Sequence, residues 1–233
     1  MRAAVGFLTI FGSSALPSPR TMRWFGVVGA FIGAFLGAVW VAAGELFAPL
    51  VAAGLVVLAD LVVTGFLHLD GLADAGDGLI APMDQQKRLA VMRTPDVGAF
   101  GVGVVVVVLG LRWAALASTE ASWWFLAVVW ALSRIFVAAV PAIVPYARDE
   151  GLASTFIGDN IVKWVPLAVL PSAAAGYVFG GAAVVAALVG LYVAAWGVVA
   201  FARRRLGGFT GDILGATILI SETVALVVYS ARW

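Results

Sequence analysis

Long runs of apolar residues make up most of the chain, and short polar stretches separate them. A membrane-spanning helix needs ~20 mostly apolar residues. By this criterion the pattern predicts seven transmembrane helices: Trp24–Ala43, Phe47–Phe66, Ala99–Ala117, Trp123–Val144, Val165–Phe179, Ala182–Phe201 and Ile213–Ala231. We therefore predict an all-α fold, a polytopic membrane helix bundle of about seven spans in which residues 1–233 form a single integral domain.

Small residues punctuate these runs. Gly29, Gly33 and Gly37 recur every fourth residue in the first predicted span, a spacing that lets two membrane helices approach closely. Gly180 and Gly181 alone separate the fifth and sixth predicted spans, which predicts a tight helical hairpin.

The N-terminal segment allows two interpretations. Arg2 followed by the apolar run Ala3–Phe11 resembles a short signal peptide. The alternative is an interfacial helix on the membrane surface that ends before Pro17 and Pro19.

The basic residues predict the orientation of the bundle. Three short loops, 44–46, 118–122 and 180–181, contain no Lys or Arg, whereas basic residues precede the first span and occupy the alternate loops. By the positive-inside rule, the N-terminus is cytoplasmic and the C-terminus is outside. The glycine-rich polar loops 67–98, 145–164 and 202–212 then share the cytoplasmic side, which favours an enzyme with one active face over a transporter.

Composition narrows the chemistry. The chain is 63% hydrophobic and 12% charged, against roughly 25% charged residues in a soluble domain. A net charge of +1 gives no support for a nucleic-acid partner. The absence of Cys and the single His exclude disulfides, thiolate nucleophiles and multi-histidine metal sites within one chain. Any bound metal would have mostly oxygen ligands, which suits Mg²⁺ or Mn²⁺.

The stretch "HLDGLADAGDG" concentrates acidic residues in a chain that otherwise has few. Asp70, Asp74 and Asp77 follow an i, i+4, i+7 spacing and would share one face of a helix that continues the second span. Like charges at such spacing repel one another unless a cation lies between them. We therefore predict a divalent-metal site here rather than a solvated acidic loop.

Two further polar residues lie near this cluster. His68 is either a structural hydrogen-bonding residue or, beside a metal and phosphates, a general base or hydrogen-bond donor. Asp60 lies deeper in the second span, where a carboxylate is costly and often functional, and is a weaker candidate.

Four motifs together resemble the cobalamin synthase family, whose members are adenosylcobinamide-GDP ribazoletransferases. The segment Thr64–Leu79, "TGFLHLDGLADAGDGL", is similar to the family signature. The segments Arg88–Gly101, Tyr146–Gly158 and Leu206–Glu222 resemble its arginine-containing loop, its Tyr-Ala-Arg motif and its C-terminal Gly-Asp motif, in the expected order.

The resemblance implies a Mg²⁺-dependent transferase of vitamin B12 biosynthesis. Such an enzyme joins adenosylcobinamide-GDP to α-ribazole, or to its 5′-phosphate, and releases GMP. The expected location is the inner (cytoplasmic) membrane of a prokaryote, with the active site facing the cytoplasm, membrane lipid as a partner, and a homo-oligomer allowed. The aspartate pattern is also similar, more weakly, to that of CDP-alcohol phosphotransferases of lipid synthesis, and an ion-coupled transporter is a third interpretation.

The resemblance also assigns roles to residues. Metal ligands would be Asp70, Asp74, Asp77 and Asp212, and the catalytic group would include Asp74, Asp77 and His68. The substrate's phosphates would meet Arg93, Arg148, Gly71 and Gly211. For Asp212 a simple helix cap is the alternative, and for both arginines it is anchoring at lipid headgroups.

Overall fold

A computed structural model describes residues 1–12, 17–158 and 165–232 of the chain. The described residues form α-helices, three short 3₁₀ segments and one isolated bridge, which confirms the all-α prediction. The helices are α1 (Arg2–Leu8), α2 (Phe25–Leu46), α3 (Pro49–Val63), α4 (Leu67–Ile80), α5 (Gln85–Val91), α6 (Ala99–Ala117), α7 (Trp123–Ala139), α8 (Val165–Leu206) and α9 (Gly211–Tyr229).

Five helical segments in the described part of the chain are long and apolar enough to cross a membrane, and a sixth is obtained if α3 and α4 are counted as one bent span. This is close to the predicted seven. The fifth predicted span, Val165–Phe179, forms the first part of α8, and nearly all of its side chains lie outside the described set. At Gly181 the backbone of α8 leaves the helical region with φ 65°, where the sequence predicts a break.

Helices α2 and α7 pack together through the predicted glycine stripe. A Cβ on Gly29 would overlap the carbonyl oxygen of Trp130, and a Cβ on Gly33 would overlap that of Leu126. Because the obstacles are backbone atoms, only glycine allows this separation.

The second predicted span is not one straight helix. The chain leaves α3 at Thr64, and Gly65 and Phe66 adopt left-handed backbone conformations with φ of 60° and 58°. Helix α4 then runs at 91° to α3. The expectation that the acidic segment continues the second span is therefore wrong: α4 is a separate helix, outside the five continuous spans.

The N-terminal segment packs on the bundle as α1. Ala4 and Leu8 are buried, and the amide of Ile10 donates to the carbonyl of Val63 at 2.9 Å. The beginning of the chain is thereby held close to the turn that precedes α4.

Buried charges connect four helices inside the bundle. Arg112 pairs with Asp60 and, at 2.6 Å, with Glu222, which also pairs with Arg134. The indole N–H of Trp130 donates to Asp60 at 3.1 Å. Two guanidinium groups thus balance two carboxylates, and Asp60 has a structural role here rather than a place in the acidic cluster.

Candidate functional site

Three polar loops meet at one end of the bundle, the end where α2 and α9 begin. The amides of Ala147 and Phe209 each form a 2.9 Å bond, to Phe209 and Pro145 carbonyl oxygens respectively, and so pair the loops before α8 and α9. The Gln85 side chain donates to the carbonyl of Leu206 at 2.8 Å, which adds the segment after α4. The loops that the charge pattern assigns to one side therefore form one assembly.

A cavity of about 210 Å³ lies within this assembly. Its lining includes six of the nine predicted site residues, contributed by α4, the loop before α8 and α9: His68, Asp70, Gly71, Arg148, Gly211 and Asp212. Segments separated by more than a hundred positions in the sequence thus supply one wall. The cavity is the candidate active site.

Arg148 links two of these segments. One terminal nitrogen of its guanidinium lies 2.8 Å from Asp212 Oδ2 and also donates to the carbonyl of Met92 at 3.0 Å. The buried Nε has no hydrogen-bond partner in the described structure. Because an unpaired buried donor is costly, this atom is suited to an anionic ligand in the cavity.

Asp212 lies at the first turn of α9, where the helix dipole favours a negative charge. The cap itself is Thr210, whose hydroxyl accepts from the amide of Ile213 at 3.3 Å. Asp212 is therefore not needed as the helix cap, and its carboxylate is paired with Arg148 at the cavity.

Asp77 has a different environment from the other acidic residues. It is buried, and its two oxygens accept hydrogen bonds from the amides of Gly98 at 2.6 Å and Gly101 at 2.9 Å. These amides belong to the N-terminus of α6, so Asp77 caps that helix and fixes it against α4. Its predicted metal and catalytic roles stay predictions beside this structural one.

Asp74 is half-buried and surrounded by like charge. Burial, followed by the neighbouring carboxylates of Asp212 and Asp70, raises the pKa of Asp74 to about 7, against the opposing charge of Arg148. Asp70 itself is exposed at the cavity. The three groups therefore act on one another electrostatically from two different helices.

These carboxylates fit a hard divalent cation in donor chemistry and in charge. Oxygen donors are the ligands that Mg²⁺ prefers, and a cation would relieve the repulsion that raises the pKa of Asp74. Within the described ranges, no three acidic or imidazole side chains are already gathered closely enough to hold one ion. The site thus has suitable ligands, with side chains that must still converge on an ion.

His68 is buried at the cavity wall. Burial, with smaller contributions from Arg134 and Arg112, lowers the pKa of His68 well below its usual value. The imidazole is therefore neutral at pH 7 and available as a proton acceptor.

The two predicted glycines and Arg93 have distinct positions. At Gly71 a Cβ would lie 2.8 Å from the carbonyl oxygen of Asp212, so this glycine lets α4 and α9 touch. At Gly211 a Cβ would meet only the Ala153 side chain, at an ordinary 3.7 Å. Arg93 is exposed and is not part of the cavity lining, although its charge acts on Tyr146.

Sequence reasoning missed two groups of residues at the site. Tyr146 lines the cavity beside Arg148, and burial raises the pKa of its phenol. Three phenylalanines, Phe7, Phe25 and Phe156, form another part of the wall. In an apolar chain, their sequence context does not distinguish such aromatic residues from ordinary core residues.

Comparisons with known proteins agree with one another. A family model described as cobalamin-5-phosphate synthase matches residues 1–230. The chain is 34% identical to an adenosylcobinamide-GDP ribazoletransferase of Brevibacillus brevis, over 92% of this chain and 88% of that protein. It is 36% identical to one of Pseudomonas aeruginosa, over 92% and 89%, and 35% identical to one of Roseiflexus sp., over 96% and 86%. No solved structure matches.

Proposed function

This chain belongs to the cobalamin-5-phosphate synthase family, and from that premise we propose that it is an adenosylcobinamide-GDP ribazoletransferase. It joins adenosylcobinamide-GDP to α-ribazole and releases GMP, a late step of cobalamin biosynthesis. A ribose hydroxyl of the acceptor forms a bond to the phosphorus attached to cobinamide, and the diphosphate bond to GMP breaks. The observation that supports this chemistry is the single cavity shared by His68, Asp70, Arg148 and Asp212.

Mg²⁺ is the proposed cofactor, with Mn²⁺ as the alternative. Asp70, Asp74 and Asp212 would hold it, and Asp77 would join them only if its oxygens also served the cation while capping α6. The bound cation would neutralise charge on the diphosphate. Repulsion among these carboxylates supports the assignment.

Arg148 would bind the diphosphate. Its free Nε can donate to a phosphate oxygen, while its pairing with Asp212 fixes the guanidinium at the cavity. The exposed Arg93 would contact the same substrate from outside the cavity. Gly211 leaves the start of α9 accessible to a phosphate.

His68 would accept the proton of the attacking hydroxyl. It lines the cavity and is neutral, whereas both oxygens of Asp77 are engaged by α6. A neutral imidazole can take the proton without first losing one of its own.

Purified protein in detergent, assayed with Mg²⁺ for GMP release from adenosylcobinamide-GDP, tests the proposal. Asp74→Asn should lower turnover by about 100-fold or more, because the amide keeps the shape of the side chain and loses its charge. Asp84→Asn is the matched control, since Asp84 is exposed and Asn also caps a helix. CMP release from a CDP-alcohol, with no GMP release, would contradict the proposal.

We also propose the orientation of the enzyme in the inner membrane. The cavity opens at the end of the bundle that holds the loops rich in arginine, which the positive-inside rule assigns to the cytoplasm. Membrane lipid would then cover the exposed apolar helix faces, such as those with Phe31 and Val106.

A further inference from the structure

The candidate active-site cavity has two chemically different walls. One wall contains Asp70, Arg148 and Asp212, which are charged. The opposite wall is made of Phe7, Phe25 and Phe156 together with aliphatic side chains. A ligand that fits such a cavity has an apolar part and a polar part that meet within a few ångströms.

The three phenylalanine rings form a packed aromatic cluster. The ring centres of Phe7 and Phe156 are 5.0 Å apart, with the rings nearly perpendicular, and those of Phe25 and Phe156 are 5.7 Å apart. Phe25 and Phe156 are almost fully buried, whereas Phe7 is half-buried. The cluster is therefore fixed in position, and Phe7 presents the accessible aromatic surface.

The two reactants of the proposed reaction differ in how they suit this wall. Guanine has several hydrogen-bond donors and acceptors along its edge, and burying them against phenyl rings without partners costs free energy. The dimethylbenzimidazole base of ribazole is largely apolar and flat. A corrinoid is far larger than a cavity of about 210 Å³.

Resting on the proposed function, we propose that this cavity binds the acceptor nucleoside, with its benzimidazole base against Phe7, Phe25 and Phe156. The ribose then lies between the aromatic wall and the charged wall. One of its hydroxyls is placed beside His68, and the diphosphate of the other substrate approaches Arg148 and Asp74 from the mouth of the cavity. Phe7 is accordingly a specificity-determining residue for the acceptor.

Steady-state kinetics of Phe7→Ala test this assignment. Stacking of a base on an aromatic side chain is worth enough that we expect the KM for α-ribazole to rise about tenfold or more. The KM for adenosylcobinamide-GDP should stay within about twofold, because that substrate does not touch the aromatic wall. Phe11→Ala is the matched control: Phe11 belongs to the same N-terminal segment, is exposed and does not line this cavity.

A competition experiment with unmodified protein does not depend on the folding of a variant. Free 5,6-dimethylbenzimidazole should inhibit competitively against α-ribazole and not against adenosylcobinamide-GDP, and guanosine should not compete with α-ribazole. Equal effects of Phe7→Ala on both KM values, or competition by guanosine at the acceptor site, would overturn the assignment. An unmodified protein that releases no GMP at all would instead refute the proposed function.

Discussion

At the scale of single residues, Asp74 is the group whose charge the site controls most directly. Burial and the carboxylates of Asp212 and Asp70 raise the pKa of Asp74 to about 7, so that this side chain is partly protonated near neutral pH. A proton and a divalent cation then compete for the same oxygens. The affinity of the site for Mg²⁺ becomes dependent on pH in a range where an ordinary aspartate is fully ionised.

We therefore expect the Mg²⁺ concentration that gives half-maximal rate to rise as the pH falls below about 7, by up to about tenfold per pH unit. The sign follows because protonation removes a ligand that the cation needs. The measurement is a Mg²⁺ titration of GMP release at several pH values between about 6 and 8. A half-saturating concentration that does not change over this interval would exclude Asp74 as a titrating ligand.

At the scale of helices, the pair α2 and α7 depends on glycines that bring backbones together. A Cβ at Gly33 would overlap backbone atoms of Leu126 and Ala127, which cannot move without displacing α7. Elsewhere on α2, a Cβ at Gly44 would meet nothing within 4 Å. The same substitution in one helix thus has opposite expected effects.

Gly33→Ala should lower the thermal unfolding temperature in detergent, because steric overlap outweighs the ~1 kcal/mol by which alanine favours a helix over glycine. Gly44→Ala should leave that temperature unchanged or raise it slightly. Equal unfolding temperatures for the two variants would show that α2 and α7 do not pack in the described way.

The buried charge network is a second inter-helix connection. Glu222 accepts hydrogen bonds from Arg112, Arg134 and Ser133, and all four side chains are buried. Glu222→Gln would leave two guanidinium groups with only Asp60 as a carboxylate partner. Because an uncompensated buried charge is costly, we expect a loss of roughly 3–5 kcal/mol in the free energy of unfolding.

Chemical unfolding in detergent, followed by tryptophan fluorescence, measures this loss. Thr119→Val serves as the control, since Thr119 makes only a local bond to the carbonyl of Ala115 in α6. A Glu222→Gln variant as stable as the unmodified chain would mean that the network contributes little to holding the four helices together.

At the scale of the whole molecule, the sequence predicts the features that contrast with an apolar background. Asp70, Arg148 and Asp212 stand out because charges are rare, and the structure brings them to one cavity. The capping of α6 by Asp77 was not predictable, because it depends on where a segment 21 residues away is placed in space. The break at Gly65 was missed because the apolar run continues across it.

Arg112 and Arg134 escaped detection for a related reason. A single charge inside a long apolar run barely changes the average over a window of ~20 residues. Considering each intramembrane charge as one that needs a partner would have linked these arginines to Asp60 and Glu222. The pairing itself still requires the three-dimensional arrangement of the helices.

The orientation of the whole bundle is open to direct measurement, because the chain has no cysteine that would react in the background. Asp96 is exposed in the loop before α6, at the cavity end, and Glu120 is exposed after α6, at the opposite end. With the cavity facing the cytoplasm, a membrane-impermeant maleimide should label Glu120→Cys in right-side-out vesicles and label Asp96→Cys only after permeabilisation. The reverse pattern would place the active site outside, away from cytoplasmic nucleotides, and would contradict both the positive-inside assignment and the proposed access of adenosylcobinamide-GDP to the cavity.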